Sequence, residues 1–184
     1  MDNRWYSQLK RGLKVTTDYL IMLIVFVVFA LLALNFAKEG SAGFVPLFSF
    51  LVFLLSFYTI YVDMRNIAFK EKRPQYNINP SPFKGLFYGL IGVIPLIILQ
   101  IIVMNLGFPE SLQTFQRRIY QGIGGPLYWF TRLIGNQPLH YLLSFILIVI
   151  IAGLGYFAGH YEFYMAAYVR KLLGIKPKKR PPKR

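Results

Sequence analysis

His160 and Glu162 are the side chains of this chain best suited to proton chemistry, since a histidine and a carboxylate beside a membrane face can pass a proton along. Two positions apart on a straight helix, they point to different sides. They can therefore neither chelate one metal ion nor act on each other as acid and base. Glu162 is expected instead to pair with a basic residue at its helix end, with Lys84 the first candidate and Lys14 and Arg65 the others. Asp18 and Asp63 stand beside basic residues at the ends of apolar runs, which is an ordinary place for a carboxylate. His140 begins another such run and is expected at the membrane interface.

The chain contains no Cys, which excludes disulfides, thiolate metal sites and cysteine nucleophiles. It contains no Walker loop, dinucleotide fingerprint, His-Glu-x-x-His or Gly-x-Ser-x-Gly. No catalytic residue, metal site or cofactor is expected, and the chain is not read as an enzyme. Nor does any apolar run carry a charge in its middle, of the kind that ion-coupled carriers and proton paths use.

The elements that position these residues are membrane spans. With 55% hydrophobic residues and only 7 acids in 184, the chain is too apolar to wet the surface of a soluble domain. Residues 141–159 are 19 in a row without a charge, about the hydrocarbon thickness of a bilayer at 1.5 Å per residue. The same criterion gives spans at about 19–37, 44–62, 85–106 and 140–162. A cleaved signal peptide is disfavoured for the first, because its apolar core is too long and Asn35 and Ala37 make a poor cleavage site. Before it, Trp5, Tyr6, Leu9 and Leu13 share a face among basic residues, as in a helix lying in the headgroup region.

The expected fold is all-α, a polytopic four-helix transmembrane bundle in one domain, 1–174. Residues 63–84 form a polar loop in which Asp63 and Glu71 stand among Arg65, Lys70, Lys72, Arg73 and Lys84. Its second half is extended by prolines, and Ser81 and Pro82 are placed to start the third span. Gly85, Gly89 and Gly92 make a smooth face on that span. Ala152, Gly155 and Gly159, continued by Glu162 and Ala166, make one on the fourth, whose helix is expected to run on to Gly174. Small faces let backbones approach closely in lipid, so these two are expected to touch. Pro95 removes a donor in the middle of the third span and should bend it, with Gln100 and Asn105 beyond.

The connection 107–137 is the least ordinary stretch. Residues 109–121 suit a short helix, 122–125 break it, and 127–134 form a second piece with Tyr128, Trp129 and Phe130. Aromatics beside Arg117, Arg118 and Arg132 fit a segment at the membrane–water interface, or one dipping into the protein. The tail 175–184 is basic and proline-rich; it cannot pack a core, and it suits anionic lipid better than nucleic acid, having no aromatic to stack on bases. The N-terminus, the 63–84 loop and the C-terminal stretch hold 17 Lys and Arg, against 4 in the two other connections, which predicts that both termini are cytoplasmic.

At Asn79-Pro80-Ser81-Pro82-Phe83-Lys84-Gly85-Leu86, then Ile94-Pro95, then Gly155-Tyr156-Phe157-Ala158-Gly159, the chain resembles small four-span membrane proteins of Gram-positive bacteria that have no assigned function. The resemblance implies a bacterial plasma membrane and no activity. Two functions follow from the residues themselves. An accessory, scaffolding or regulatory membrane protein would act through lipid and through another membrane protein or a second copy. A small oligomeric channel or transporter subunit would use Pro95, Gln100 and the outer connection. A polar cavity reaching Gln100 would favour transport, and a filled interior would favour interaction.

Overall fold

A computed structural model describes residues 5–38, 43–74 and 80–163, and every described element is helical. Helix α1 is Trp5–Lys38, α2 Phe44–Glu71, α3 Lys84–Asn105, α4 Gln113–Ile123, α5 Tyr128–Ile134, α6 Pro138–Ser144 and α7 Ile146–His160. Four stretches are long and apolar enough to cross a membrane: most of α1, α2, α3, and α6 with α7, which act as one span broken only by a tight turn at Phe145. The tail, Ala166, Gly174 and residues 75–79 lie outside the described residues.

The spans form a ring in which α1 packs on α2 and α3, and α7 packs on the other sides of α2 and α3. Large apolar side chains such as Ile24, Leu55, Ile98 and Leu154 point outward, the pattern of a protein whose solvent is lipid. The interior is filled by Tyr19, Tyr88, Tyr141, Tyr156, Phe145 and Leu127, all nearly or fully buried.

The small residues act as expected, but not all toward one neighbour. A Cβ on Gly89 would sit 2.8 Å from Val149 Cα, and Gly85 lies against Ala152 and Tyr156, so α3 and α7 do meet through glycine and alanine. Gly92 faces Val15 and Gly12 of α1 instead. Gly155 and Gly159 face α2, where a Cβ at 155 would come within 2.6 Å of the Tyr61 carbonyl oxygen. A helix packed on two sides needs a small residue on each.

Two helix ends differ from the sequence expectation. The buried positions Val52, Ser56, Ile60, Met64 and Ala68 continue at helical spacing through the charged stretch 63–71, so α2 runs nine residues past Val62 and ends with Glu71 buried. Likewise the amphipathic start and the first span are one 34-residue helix, with no break between them. By contrast, the last span stops early. The Glu162 N–H bonds the Gly159 carbonyl and the Phe163 N–H bonds the Ala158 carbonyl, a Schellman turn with Glu162 in the left-handed region at φ 56°. Glu162 therefore lies beyond the helix, off the face that carries Gly155 and Gly159.

Candidate functional site

Every span sends a polar side chain to Glu71, at the end of the bundle where α1 begins. The Glu71 carboxylate is fully buried at the last turn of α2. Tyr88 of α3 donates its hydroxyl to Oε1 at 2.6 Å, and Tyr156 of α7 donates to Oε2 at 2.6 Å. Arg11 of α1 pairs with Oε1 and also donates to the Tyr88 oxygen at 3.2 Å, while Lys84 Nζ stands 3.3 Å from Oε2. The two tyrosine rings meet edge to face with centroids 5.9 Å apart. An ionised carboxylate is acceptor-only, and here both oxygens are held by charged and hydroxyl donors.

The residues assemble because each lies at the right turn of its helix. Arg11 precedes Gly12, whose missing side chain lets α1 lie on Ile91 and the Tyr88 carbonyl of α3. Lys84 and Tyr88 are four apart at the start of α3, on one face. Tyr156 follows Gly155, which brings α7 onto α2. Hence the close glycine contacts set the spacing at which four helices reach one carboxylate. Such an array locks helices together, and with its acceptors filled it offers no free base.

The pairing expected between Lys84 and Glu162 is replaced by two others. Lys84 turns inward to Glu71, whereas Glu162, beyond the helix end, lies 3.5 Å from Lys72. Lys72 also donates to the His160 carbonyl at 2.8 Å, so a cation from α2 caps the negative end of α7. Thus Glu162 does have a basic partner at its helix end, though one the sequence did not single out. His140 pairs with Gln137 in a capping box at the start of α6.

The opposite end is closed by the connection between α3 and α6. A 3-10 turn, Gly125–Leu127, is buried between α1 and α2, with Gly125 against the Phe26 ring and Leu127 1% exposed. Tyr19 donates to the Ile123 carbonyl at 2.8 Å and Ser49 to the Gly125 carbonyl at 2.7 Å; the Trp129 N–H donates to Ser49 Oγ at 3.1 Å. Gln100, fully buried, donates to the Tyr120 carbonyl at 3.1 Å. Of the two placements open to this segment, the structure has the one that dips into the protein. Buried polar groups on α1, α2 and α3 satisfy its irregular backbone, as membrane depth requires. Pro95 lies within α3, and Thr16 of α1 donates to the neighbouring Gly92 carbonyl at 2.6 Å.

A depression of about 370 Å³ lies outside this plug, lined by Met104, Phe108, Gln113, Gln116, Arg117 and Tyr120 among others. Its lining does not include Gln100. Among the described residues there is no group of three or more His, Cys, Asp or Glu able to hold a metal ion. No protein family, curated protein or solved structure matches this chain.

Proposed function

We propose that this chain is an accessory, scaffolding or regulatory membrane protein that works through its outer surfaces rather than by chemistry or conduction. The observation that carries this reading is the filled interior: the Glu71 array occupies one end of the bundle, and Gly125–Leu127 with Gln100 occupies the other. Among the described residues, these two closures lie across the way between the helices. The partners are the lipid bilayer, with anionic lipid at the basic end, and another membrane protein or a second copy. The excess of Lys and Arg at the end holding the N-terminus supports cytoplasmic termini, and the resemblance at residues 79–86 and 155–159 implies a bacterial plasma membrane.

The test pairs purification in mild detergent, followed by mass spectrometry of the intact assembly, with solute and ion flux in proteoliposomes. A stoichiometric partner or a defined homo-oligomer without flux is the expected result. Flux through the wild-type chain would overturn the reading and favour a channel or transporter subunit.

A further inference from the structure

A second buried polar cluster lies between α1 and α2, apart from the Glu71 array. Lys14 Nζ is 2.6 Å from Asp63 Oδ2 and 3.7 Å from Asp18 Oδ1. Asp18 is 6% exposed, and its Oδ2 has no hydrogen-bond donor. Lys14 Nζ thus gathers the Asp63 and Asp18 carboxyls around one ammonium, side by side between α1 and α2. Two ionised carboxylates are both acceptors, so contact between them holds no hydrogen bond and adds like-charge repulsion. A proton on either turns the contact into a donor–acceptor pair.

The surroundings favour a proton over other ligands. Lys14 on the same helix and Asp63 on α2 are the charged groups bearing on Asp18. Helix α3, which packs on α1 beside them, carries Lys84 and Tyr88 as its titratable side chains, both turned to Glu71, and none from Gly89 to Asn105. On α7 the titratable groups are Tyr156, committed to Glu71, and His160, at the far turn beside Lys72. One ammonium against two carboxylates leaves one negative charge unmatched, and Lys14 already takes the cationic place beside both. The carboxyl ligands are too few for a multivalent metal. Lys14 and Asp63 have side chains 46% and 30% exposed, which opens the pair to solvent on one side while Asp18 stays enclosed.

We propose that Asp18 and Asp63 form a proton-binding site between the first two spans, sharing one proton between their carboxyl groups beside Lys14. No other bond is made or broken. The proton enters from solvent at the exposed Asp63 side and leaves the same way.

Infrared difference spectroscopy on the purified full chain in lipid nanodiscs tests this, near neutral pH and in buffer free of sodium and potassium. The wild type should show the carbonyl band of one protonated carboxyl, shifted in D2O and lost in Asp18→Asn. It should be lost equally in Asp63→Asn, where Asp18 is left alone with Lys14 and pairs with it as a carboxylate. Lys14→Met should keep the band, and it also serves if an Asn variant fails to fold. Absence of the band in the wild type would overturn the site. Persistence of the band in Asp63→Asn would overturn sharing, because the proton would then belong to Asp18 alone. A band that disappears when sodium is added at constant ionic strength would assign the place to a metal cation instead.

Discussion

Glu71→Gln keeps the shape of the side chain and removes its charge, which isolates what the buried array contributes. Arg11 and Lys84, with side chains 9% and 14% exposed, would lose the carboxylate they share. Deleting one member of a buried ion pair costs about 3–5 kcal/mol, because the remaining charge is left uncompensated. The amide also brings donors of its own toward the Tyr88 and Tyr156 hydroxyls, so one hydroxyl must give up its bond or turn. Tyr156→Phe leaves the carboxylate its other partners and should cost less, about 1.5–3 kcal/mol for one hydrogen bond to a charged acceptor. Lys72→Ala removes a pair whose members are 43% and 63% exposed and should cost about 1 kcal/mol or less. Reversible unfolding in mixed micelles, followed by circular dichroism, measures all three. The order is what the geometry requires. Glu71→Gln within about 1 kcal/mol of wild type, or no more costly than Lys72→Ala, would refute the view that this carboxylate holds the four helices. In a double-mutant cycle, Arg11→Met should recover more than about 1 kcal/mol of the Glu71→Gln loss, since the two residues share one contact.

Four further outcomes follow from contacts elsewhere. Gly89→Ala should destabilise the bundle by about 1–3 kcal/mol, because the new methyl meets the α7 backbone, whereas Gly107→Ala has open space and should be neutral in the same unfolding assay. Gly155→Leu, against the α2 backbone, should prevent close packing and lower thermal stability in detergent further still. Ser49→Ala strands the Trp129 N–H at about 1–3 kcal/mol and leaves the Gly125 carbonyl only the Tyr128 N–H, so hydrogen exchange should show faster opening of 122–131 while α7 stays protected. Glu162→Gly relieves a left-handed residue at about 1 kcal/mol and gives up only an exposed ion pair, so an unchanged or slightly raised melting temperature is expected.

The four spans are legible because a run of 19 uncharged residues has few other uses, and the pieces of 107–137 are legible from their Gly and Pro punctuation. Depth is harder to see. Aromatic residues beside arginine suit an interface and a buried plug equally, and only Tyr19, Ser49 and Gln100, far away in sequence, decide between them. Glu71 is hard to see because it sits in a charged stretch that reads as a loop, although charge does not end a helix. The visible sign was the stripe Val52, Ser56, Ile60, Met64 and Ala68, whose next member at a spacing of three is Glu71. Had the stripe been extended, Lys84 would have had a carboxylate nearer than Glu162. The left-handed Glu162 left no such sign, since glycine and asparagine are the residues that announce that conformation.

Closure at both ends bears differently on the two functions, because the ends differ in strength. To open the Glu71 end, a carboxylate must leave two cations and two hydroxyls. To open the other end, the 120–131 segment must withdraw, breaking four hydrogen bonds, from Tyr19, Ser49, Gln100 and the Trp129 N–H, and exposing Leu127. At about 0.5–1.5 kcal/mol net for each bond and about 1.5–3 for the leucine, withdrawal costs about 3.5–9 kcal/mol. That leaves at most about one chain in a few hundred open at any time. Even that chain would still be blocked at Glu71, so conduction would need two separate openings. The outer faces need none, since lipid or a partner helix can meet Ile24, Leu55 and Ile98 with the bundle closed as it stands.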